Sequence, residues 1–309
     1  MSTALELHGI VKRYGRRTAL AGLDLVVPAG AVCGLVGSNG AGKTTTLGIA
    51  AGLLRPDSGE VSLLGDGPFD PARHGGRVSL LPQDSQLPPL SRVRELLVFY
   101  GALQGLGENA ACAGADAVLE RVHLTDRADS PLRTLSHGMR RRVLIAQALL
   151  GDPELILLDE PLGGLDPREV VNIRNILQAC RGRQTIVISS HNLHEVELIC
   201  DHLAFIEQGR TQRQDTMAVV TQRQEILTYA LEGGPPALAA LAACVPEAQF
   251  ELAEGGRRLV CLYDGRAGSP AASNASVLRC LLDAGVGVLE VRQGSALEKA
   301  YLDGVRPKV

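Results

Sequence analysis

Hydrophobic and polar positions divide the chain into segments with different periods. Residues 5–30 alternate in short runs that Gly and Pro interrupt, which predicts an antiparallel sheet. Residues 59–68 predict a further short hairpin. The apolar run at 155–158, bounded by prolines, is typical of a strand buried on both faces of a parallel sheet. Residues 91–150 have helical spacing instead, so a helical block at about 86–152 interrupts an α/β domain.

The pattern changes again in the second half of the chain. Residues 183–209 predict a strand, a helix and a second strand, after a helix that opens at Asp166 and Pro167. Beyond residue 216, short strand and helix patterns alternate and end in a short helix at 295–304. We therefore predict two domains, 1–218 and 219–309, the second a small α+β domain.

A glycine-rich motif stands between the apolar run at 31–36 and a predicted helix. The motif is GSNGAGKTT, which consists of Gly37, Ser38, Asn39, Gly40, Ala41, Gly42, Lys43, Thr44 and Thr45. It fits the phosphate-binding pattern G-x-x-x-x-G-K-[ST] in the required context of strand, loop and helix. Glycines allow backbone N–H groups to surround a phosphate, and the helix directs its positive end at the same anion. The alternative, a glycine-rich turn without a ligand, is weaker because the context fits.

Four polar positions follow predicted strands, where ligands collect in open α/β sheets. Gln83 follows the apolar run at 79–82, and Asp159 and Glu160 end the run at 155–158. Uncompensated buried carboxylates are costly, so the two acids indicate a magnesium–phosphate site rather than a solvated strand end. His191 closes a further strand, although a lone histidine is usually without function. Tyr14 could stack on a purine, although a tyrosine in such a strand usually belongs to the core.

The composition of the chain argues against several classes of protein. The net charge is −3, which argues against a dedicated nucleic-acid binder. The N-terminus lacks the pattern of a signal peptide, and no apolar run approaches the length of a spanning helix, so we expect a cytoplasmic chain. The seven cysteines are dispersed without a C-x-x-C pair, which indicates reduced, mostly packed thiols.

Five motifs now stand in one order: GSNGAGKTT, LLPQD, LSHGMRRR, LILLDEP and ISSH. Together they resemble the ATP-binding subunit of an ABC transporter over about residues 5–215, most closely the exporter ATPases of the drug, polysaccharide and lipid type. The resemblance implies a P-loop NTPase fold with an antiparallel β subdomain and a helical subdomain. It also implies ATP and Mg²⁺ as ligands, and a chain held on the cytoplasmic face of the membrane by separate permease subunits.

The resemblance assigns roles around the nucleotide. Tyr14 would stack on adenine, while Lys43 would hold phosphates and Thr44 would hold both phosphate and magnesium. Gln83 would sense magnesium and the attacking water, and Asp159 would hold magnesium through water. These roles come from the family and not from the spacing of the residues.

Other assignments concern hydrolysis and a second ATPase subunit. Glu160 would polarise the attacking water, and His191 would contact the γ-phosphate. Asp166 would belong to a loop that crosses the interface of a head-to-tail dimer. Ser136 and Gly138 would face the nucleotide of the partner. Because one chain carries every motif, a homodimer is favoured.

The signature motif departs from the family pattern. LSHGM stands in place of LSGGQ, with His137 for a glycine and Met139 for a glutamine. Two other functions stay open at this point: a soluble ABC-type ATPase that acts as a mechanical switch, and a regulatory subunit without turnover. A single phosphate loop and the absence of long heptads or a basic patch argue against the first. Glu160 and His191 argue against the second.

Overall fold

The chain folds into two compact units. The computed structural model describes residues 2–221, 224–233, 236–246, 248–264, 270–294 and 297. The units are Met1–Thr216 and Met217–Val309, and each has its own hydrophobic core. The predicted boundary between residues 218 and 219 lies close to this division. None of the helices within the described ranges has both the length and the apolar character needed to cross a membrane.

The first unit contains nine strands and seven α-helices within its described residues. The strands are β1 (Thr3–Tyr14), β2 (Arg17–Pro28), β3 (Val32–Val36), β4 (Ser58–Leu63), β5 (Val78–Leu81), β6 (Leu155–Asp159), β7 (Thr185–Ser190), β8 (His202–Glu207) and β9 (Arg210–Thr216). The helices are α1 (Lys43–Ala50), α2 (Pro71–His74), α3 (Val93–Leu103), α4 (Glu108–Arg121), α5 (His137–Leu149), α6 (Pro167–Gln178) and α7 (Leu193–Ile199). Short 3-10 helices lie at Thr125–Arg127 and Leu132–Thr134.

An antiparallel sheet of order β2-β1-β4 carries the N-terminal segment. The alternation predicted this sheet correctly, because Leu5 and Leu7 point into the core on every second position of β1. The hairpin predicted at 59–68 is wrong, since only β4 forms and it pairs with β1. Leu64, Gly65 and Gly67 have φ of 54°, 82° and 82°, so the backbone leaves extended geometry immediately after β4.

The central sheet has six strands in the order β5-β6-β7-β3-β8-β9. The first five are parallel, and β9 pairs antiparallel with β8 at the edge. All residues of β3 and β6 are buried, as the apolar runs predicted. Parallel strands end at the same edge of a sheet, so the segments that follow β3, β5, β6 and β7 meet there.

The helical block lies between β5 and β6 in sequence. It contains α3, α4 and α5, as the helical spacing predicted. The edge strand β9 was not predicted, because its sequence, RTQRQDT, has no apolar alternation. Backbone pairing with β8 stabilises it instead.

The second unit is an α+β fold. It contains α8 (Met217–Thr221), β10 (Gln224–Glu232), α9 (Leu238–Cys244), β11 (Ala248–Ala253), β12 (Arg258–Asp264), α10 (Pro270–Asp283) and β13 (Gly287–Gly294). The sheet order is β11-β12-β10-β13, and all pairs are antiparallel. From β10 onward the chain order is β-α-β-β-α-β, which is the ferredoxin-like split arrangement. The short helix predicted at 295–304 lies, apart from Leu297, outside the described residues.

Candidate nucleotide site

The phosphate-binding loop connects β3 to α1 and is held in place by close packing. A Cβ atom on Gly37 would lie 2.2 Å from the carbonyl oxygen of Ile206 in β8. Gly42 has φ of 115°, and a Cβ there would lie 2.6 Å from a methyl carbon of Leu20. Only glycine fits at these two positions, because one lacks space and the other also has left-handed backbone geometry.

Residues from several elements line one cavity of about 560 Å³ beside this loop. The predicted site residues on its wall are Tyr14, Asn39, Gly40, Gly42, Lys43, Thr44, Thr45, Gln83, Glu160 and His191. The other loop residues shape its backbone: Ala41 is buried, and Ser38 donates a hydrogen bond to the Glu207 carboxylate at 3.1 Å from each oxygen. The structure therefore brings most of the predicted nucleotide residues together.

Lys43 supplies a buried cation to this cavity. Its side chain is 7% exposed, and Nζ donates to the carbonyl oxygens of Gly37 at 2.8 Å and Ser38 at 3.3 Å. Nζ also lies 3.7 Å from Oε1 of Glu160. The loop thus holds the ammonium group close to the Glu160 carboxylate and to the cavity. There the ammonium group can bind phosphate oxygens.

The two acids that follow the apolar run have different surroundings. Asp159 is 1% exposed and accepts a hydrogen bond from the Ser189 hydroxyl, so the alternative of a solvated strand end is wrong for it. Glu160 is partly buried, and its carboxylate faces the Nδ1 atom of His191 at 3.0 Å. The backbone N–H of Glu160 donates to Ser189 Oγ at 2.9 Å. Ser189 therefore positions both acids.

Oxygen donors at this edge of the sheet have the chemistry that Mg²⁺ requires. Thr44 and Gln83, which carry a hydroxyl and an amide oxygen, line the cavity, and Asp159 directly precedes Glu160. Mg²⁺ is bound through one or two carboxylates together with hydroxyl, water and phosphate oxygens. The residues present fit that ion.

Tyr14 lies at the cavity wall and not in the core. Its side chain is at the end of β1 and is 47% exposed, so the core interpretation is wrong. Lys12 Nζ lies 5.8 Å from the centre of its ring. An exposed ring on the wall of this cavity is available for stacking on a base.

Ser136, Gly138 and Asp166 do not line this cavity. Ser136 is the N-cap of α5 and accepts from the Met139 N–H at 3.1 Å. Asp166 is the N-cap of α6 and accepts from the N–H groups of Arg168 and Glu169 at 3.0 Å. Within one chain these two residues cap helices.

Gly138 is enclosed by α6, and its neighbour lines a second cavity. A Cβ on Gly138 would lie 2.4 Å from the side chain of Glu169. His137 lines a cavity of about 930 Å³, and Gln83, Glu160 and Gly163 line both cavities. The signature motif LSHGM therefore lies next to the nucleotide cavity of its own chain, but its residues do not line that cavity.

Three residues with roles at the site were missed from the sequence. Arg17 lines the nucleotide cavity, with Nη2 3.1 Å from where a Cβ on Gly40 would lie. Ser189 holds the acids, and Arg141 donates to the carbonyl groups of Glu160 and Pro161. The basic run KRYGRR was a signal for Arg17. No local pattern pointed to the other two.

Comparisons with a family model and with known proteins all indicate the same family. The sequence model of the ABC transporter family matches residues 20–163. Nod factor export ATP-binding protein I of Burkholderia lata is 42% identical over 211 residues, which cover 67% of this chain and 68% of that protein. Linearmycin resistance ATP-binding protein LnrL of Bacillus subtilis is 37% identical over 210 residues, covering 66% of this chain and 67% of that protein.

Solved structures agree with the sequence relatives. The structure of an ATP-binding subunit of an ABC transporter superposes with a TM-score of 0.62 and 27% identity, covering 71% of this chain and 92% of that one. The matched region contains the phosphate loop, the helical block, and Asp159 and Glu160 at the end of β6. This chain belongs to the ABC transporter family, as an ATP-binding subunit that hydrolyses ATP.

Proposed function

We propose that this chain powers export of a substrate through a separate membrane permease, and that its Glu160 activates the water that attacks ATP. The observation that carries the proposal is the single cavity lined by Lys43, Thr44, Gln83, Glu160 and His191. The export direction is supported by two relatives, whose names are Nod factor export and linearmycin resistance ATP-binding proteins.

Lys43 and the N–H groups of the phosphate loop bind the phosphate chain in this mechanism. Thr44, Gln83 and Asp159 would hold Mg²⁺, which would supply positive charge to stabilise the phosphate chain. Tyr14 stacks on the adenine ring. The binding groups come from separate elements, so ATP contacts the ends of several strands at once.

Glu160 acts as the general base. It accepts a proton from the water whose oxygen attacks the γ-phosphorus, while the bond to the β-phosphate oxygen breaks and ADP departs. His191 holds the Glu160 carboxylate at 3.0 Å and contacts the γ-phosphate. Ser189 holds the backbone of Glu160 from the other side.

A second copy of the chain completes the site. Ser136, Gly138 and Asp166 lie outside the nucleotide cavity of their own chain, and Ser136 and Asp166 are exposed. In a head-to-tail homodimer these residues reach the nucleotide of the partner, where the N-terminus of α5 favours an anion.

The helical block supplies the surface for the permease. Leu90, Phe99 and Leu103 are 79%, 55% and 68% exposed, which is unusual for side chains of this size near one helix. This surface follows Gln83 in sequence, so a movement of Gln83 can reach it as a rigid-body shift of the block. The second unit serves as a dimerisation or regulatory module.

The test is phosphate release by the purified chain at graded Mg²⁺ concentration, with Lys43→Ala as the control that lacks the phosphate-binding cation. Turnover that requires Mg²⁺ and Lys43 supports the site. The permease is tested separately, by co-purification of this chain with a membrane protein. ATPase activity without such an association would favour a soluble mechanical switch.

A further inference from the structure

A buried guanidinium group from α5 reaches the loop that carries Glu160. Arg141 is 7% exposed. Its Nε donates to the carbonyl oxygen of Pro161 at 2.7 Å, and its Nη2 donates to that of Glu160 and lies 3.5 Å from that of Asp159. One side chain therefore contacts three successive carbonyl groups around Glu160.

The backbone at Glu160 needs such support. Its φ is 48°, in the left-handed region that residues with a Cβ rarely adopt. On the amide side, Glu160 N–H donates to Ser189 Oγ at 2.9 Å and to the Ser189 carbonyl at 3.2 Å. On the carbonyl side, the contacts come from Arg141. The two sets together hold the peptide groups before and after the Glu160 side chain.

The charge of Arg141 is unusual for its location. Burial lowers the pKa of its guanidinium group, while the negative charges of Asp159 and Glu160 act in the opposite direction. Burying a cation is costly unless its donors are satisfied, and here backbone carbonyl groups satisfy them. A planar fork of donors suits three adjacent acceptors, whereas a lysine offers one nitrogen.

We propose that Arg141 is a positioning residue for hydrolysis: it holds the left-handed turn at Glu160, so that the carboxylate stays aimed into the nucleotide cavity. It touches neither ATP nor water in this role. The inference rests on the proposed role of Glu160 as the base. We further infer that α5, which begins within the signature motif LSHGM, controls the position of that base.

The experiment is a double-mutant cycle between Arg141 and Glu160, read by single-turnover ATP hydrolysis and by ATP affinity. Arg141→Met is expected to lower the rate by about 10- to 100-fold, because displacement of a catalytic group by about 1 Å has costs of this size. ATP affinity is expected to stay unchanged. Arg141→Lys, which keeps one donor nitrogen and the positive charge, is expected to recover part of the rate.

The cycle separates positioning from other roles. In the Glu160→Gln background, Arg141→Met is expected to have no further effect on the residual rate, because the base is already absent. An equal loss in both backgrounds, or a loss of ATP affinity in step with the rate, would overturn the proposal. Normal turnover by Glu160→Gln alone would instead overturn the role of Glu160.

Arg142 provides a matched control for folding. It is also on α5 and is 8% exposed, but it donates to the carbonyl groups of Val122 and His123 and forms an ion pair with Glu169 at 3.0 Å. Arg142→Lys is expected to lower the melting temperature as Arg141→Lys does, while keeping the hydrolysis rate closer to that of the parent chain. Equal rate losses at equal folded fractions would show a general structural effect.

A second candidate site lies in the second unit, and a different contact indicates it. Cys244, the last residue of α9, has its Sγ 2.9 Å from Sγ of Cys280 in α10. Both are free thiols, Cys244 is exposed, and Cys280 is partly buried. The contact with Cys244 raises the pKa of Cys280 to about 11, with a further contribution from burial. The dispersed spacing of the cysteines had predicted no such pair.

We infer that Cys244 and Cys280 are a dithiol site that small disulfides oxidise. The exposed Cys244, as thiolate, attacks one sulfur of glutathione disulfide and releases one glutathione thiolate. Cys280, after losing its proton to solvent, then attacks Cys244 Sγ and releases the second glutathione. The protein dithiol is oxidised by two electrons to a disulfide that joins α9 to α10, and glutathione disulfide is reduced to two thiols.

Peptide mass analysis of the native full chain after glutathione disulfide treatment tests this site, with the exposed Cys112 as an internal control. The expected product is a Cys244–Cys280 cross-link without glutathione, while Cys112 carries a glutathione adduct. Cys280→Ser is expected to leave a stable adduct on Cys244. Separate adducts on Cys244 and Cys280, or two free thiols when Cys112 is modified, would overturn the inference.

Discussion

The Nδ1 atom of His191 lies 3.0 Å from both carboxylate oxygens of Glu160, so one imidazole nitrogen is shared between them. Lys43 Nζ lies 3.7 Å from one of the same oxygens. Glu160 follows β6, His191 follows β7, and Lys43 begins α1 after β3. The position of the carboxylate therefore depends on three neighbouring strands of the central sheet.

Glu160→Gln is expected to bind ATP normally and to stop hydrolysis. The amide keeps the size of the side chain but cannot accept the proton, and a positioned general base typically contributes about a hundred- to ten-thousand-fold in rate. Single-turnover hydrolysis and dimer lifetime under ATP and Mg²⁺ measure the effect. Turnover close to that of the parent chain would place the base elsewhere, and failure to bind ATP would show a structural role.

His191→Ala is expected to lower the hydrolysis rate by about a hundredfold, as loss of one well-placed donor does. ATP affinity should change little, because Lys43 and the loop remain. His194→Ala is the matched control, since that histidine is exposed on α7 three residues further on. Equal behaviour of the two variants would remove His191 from the site.

Ser136→Arg is expected to spare ATP binding and to abolish turnover, because it places bulk and charge where a partner chain would meet the nucleotide. It also removes the N-cap of α5, which costs about 1 kcal/mol. Ser136→Ala removes the hydroxyl, and with it the cap, without adding bulk or charge, so it separates loss of the hydroxyl from the added obstruction. In the parent chain, the specific ATPase rate should rise with protein concentration, and a fully active dilute monomer would contradict the dimer.

Arg94→Glu is expected to uncouple transport from ATP hydrolysis if the helical block docks the permease. Arg94 is exposed and forms an ion pair with Asp116 at 2.7 Å. Asp116→Asn breaks the same pair without reversing charge at position 94, so it should retain coupling. Transport and ATPase are measured together in membranes that contain the permease. A parallel fall in ATPase and nucleotide affinity would place this segment in the nucleotide pocket.

A chain that ends at residue 221 is expected to bind ATP as the full chain does, because the cavity is built from residues of the first unit. Dimerisation or regulation should weaken, since the second unit is absent apart from α8. ATP titration and sedimentation of both chains test this division. Loss of ATP binding in a folded truncated chain would refute it.

The sequence predicted those parts of the site that depend on local structure. A phosphate loop is built from the backbone of consecutive residues, so the spacing of Gly37, Gly42 and Lys43 is enough to predict one at 37–45. The apolar run before Asp159 predicted a buried strand. Strand ends in a parallel sheet share one edge, so Gln83, Glu160 and His191 were expected to meet, and they do.

Only the tertiary structure decided the contacts between residues that are distant in sequence. Arg141 reaches the Glu160 turn because α5 packs against the loop after β6, and Cys244 meets Cys280 because α9 and α10 pack together. The edge strand β9 forms by pairing with β8 and not by an apolar pattern of its own. Periodicity shows which face of an element is buried but not which partner covers it. The sequence alone therefore determined the phosphate loop and the strands that end beside it, and packing determined which side chains hold Glu160 in place.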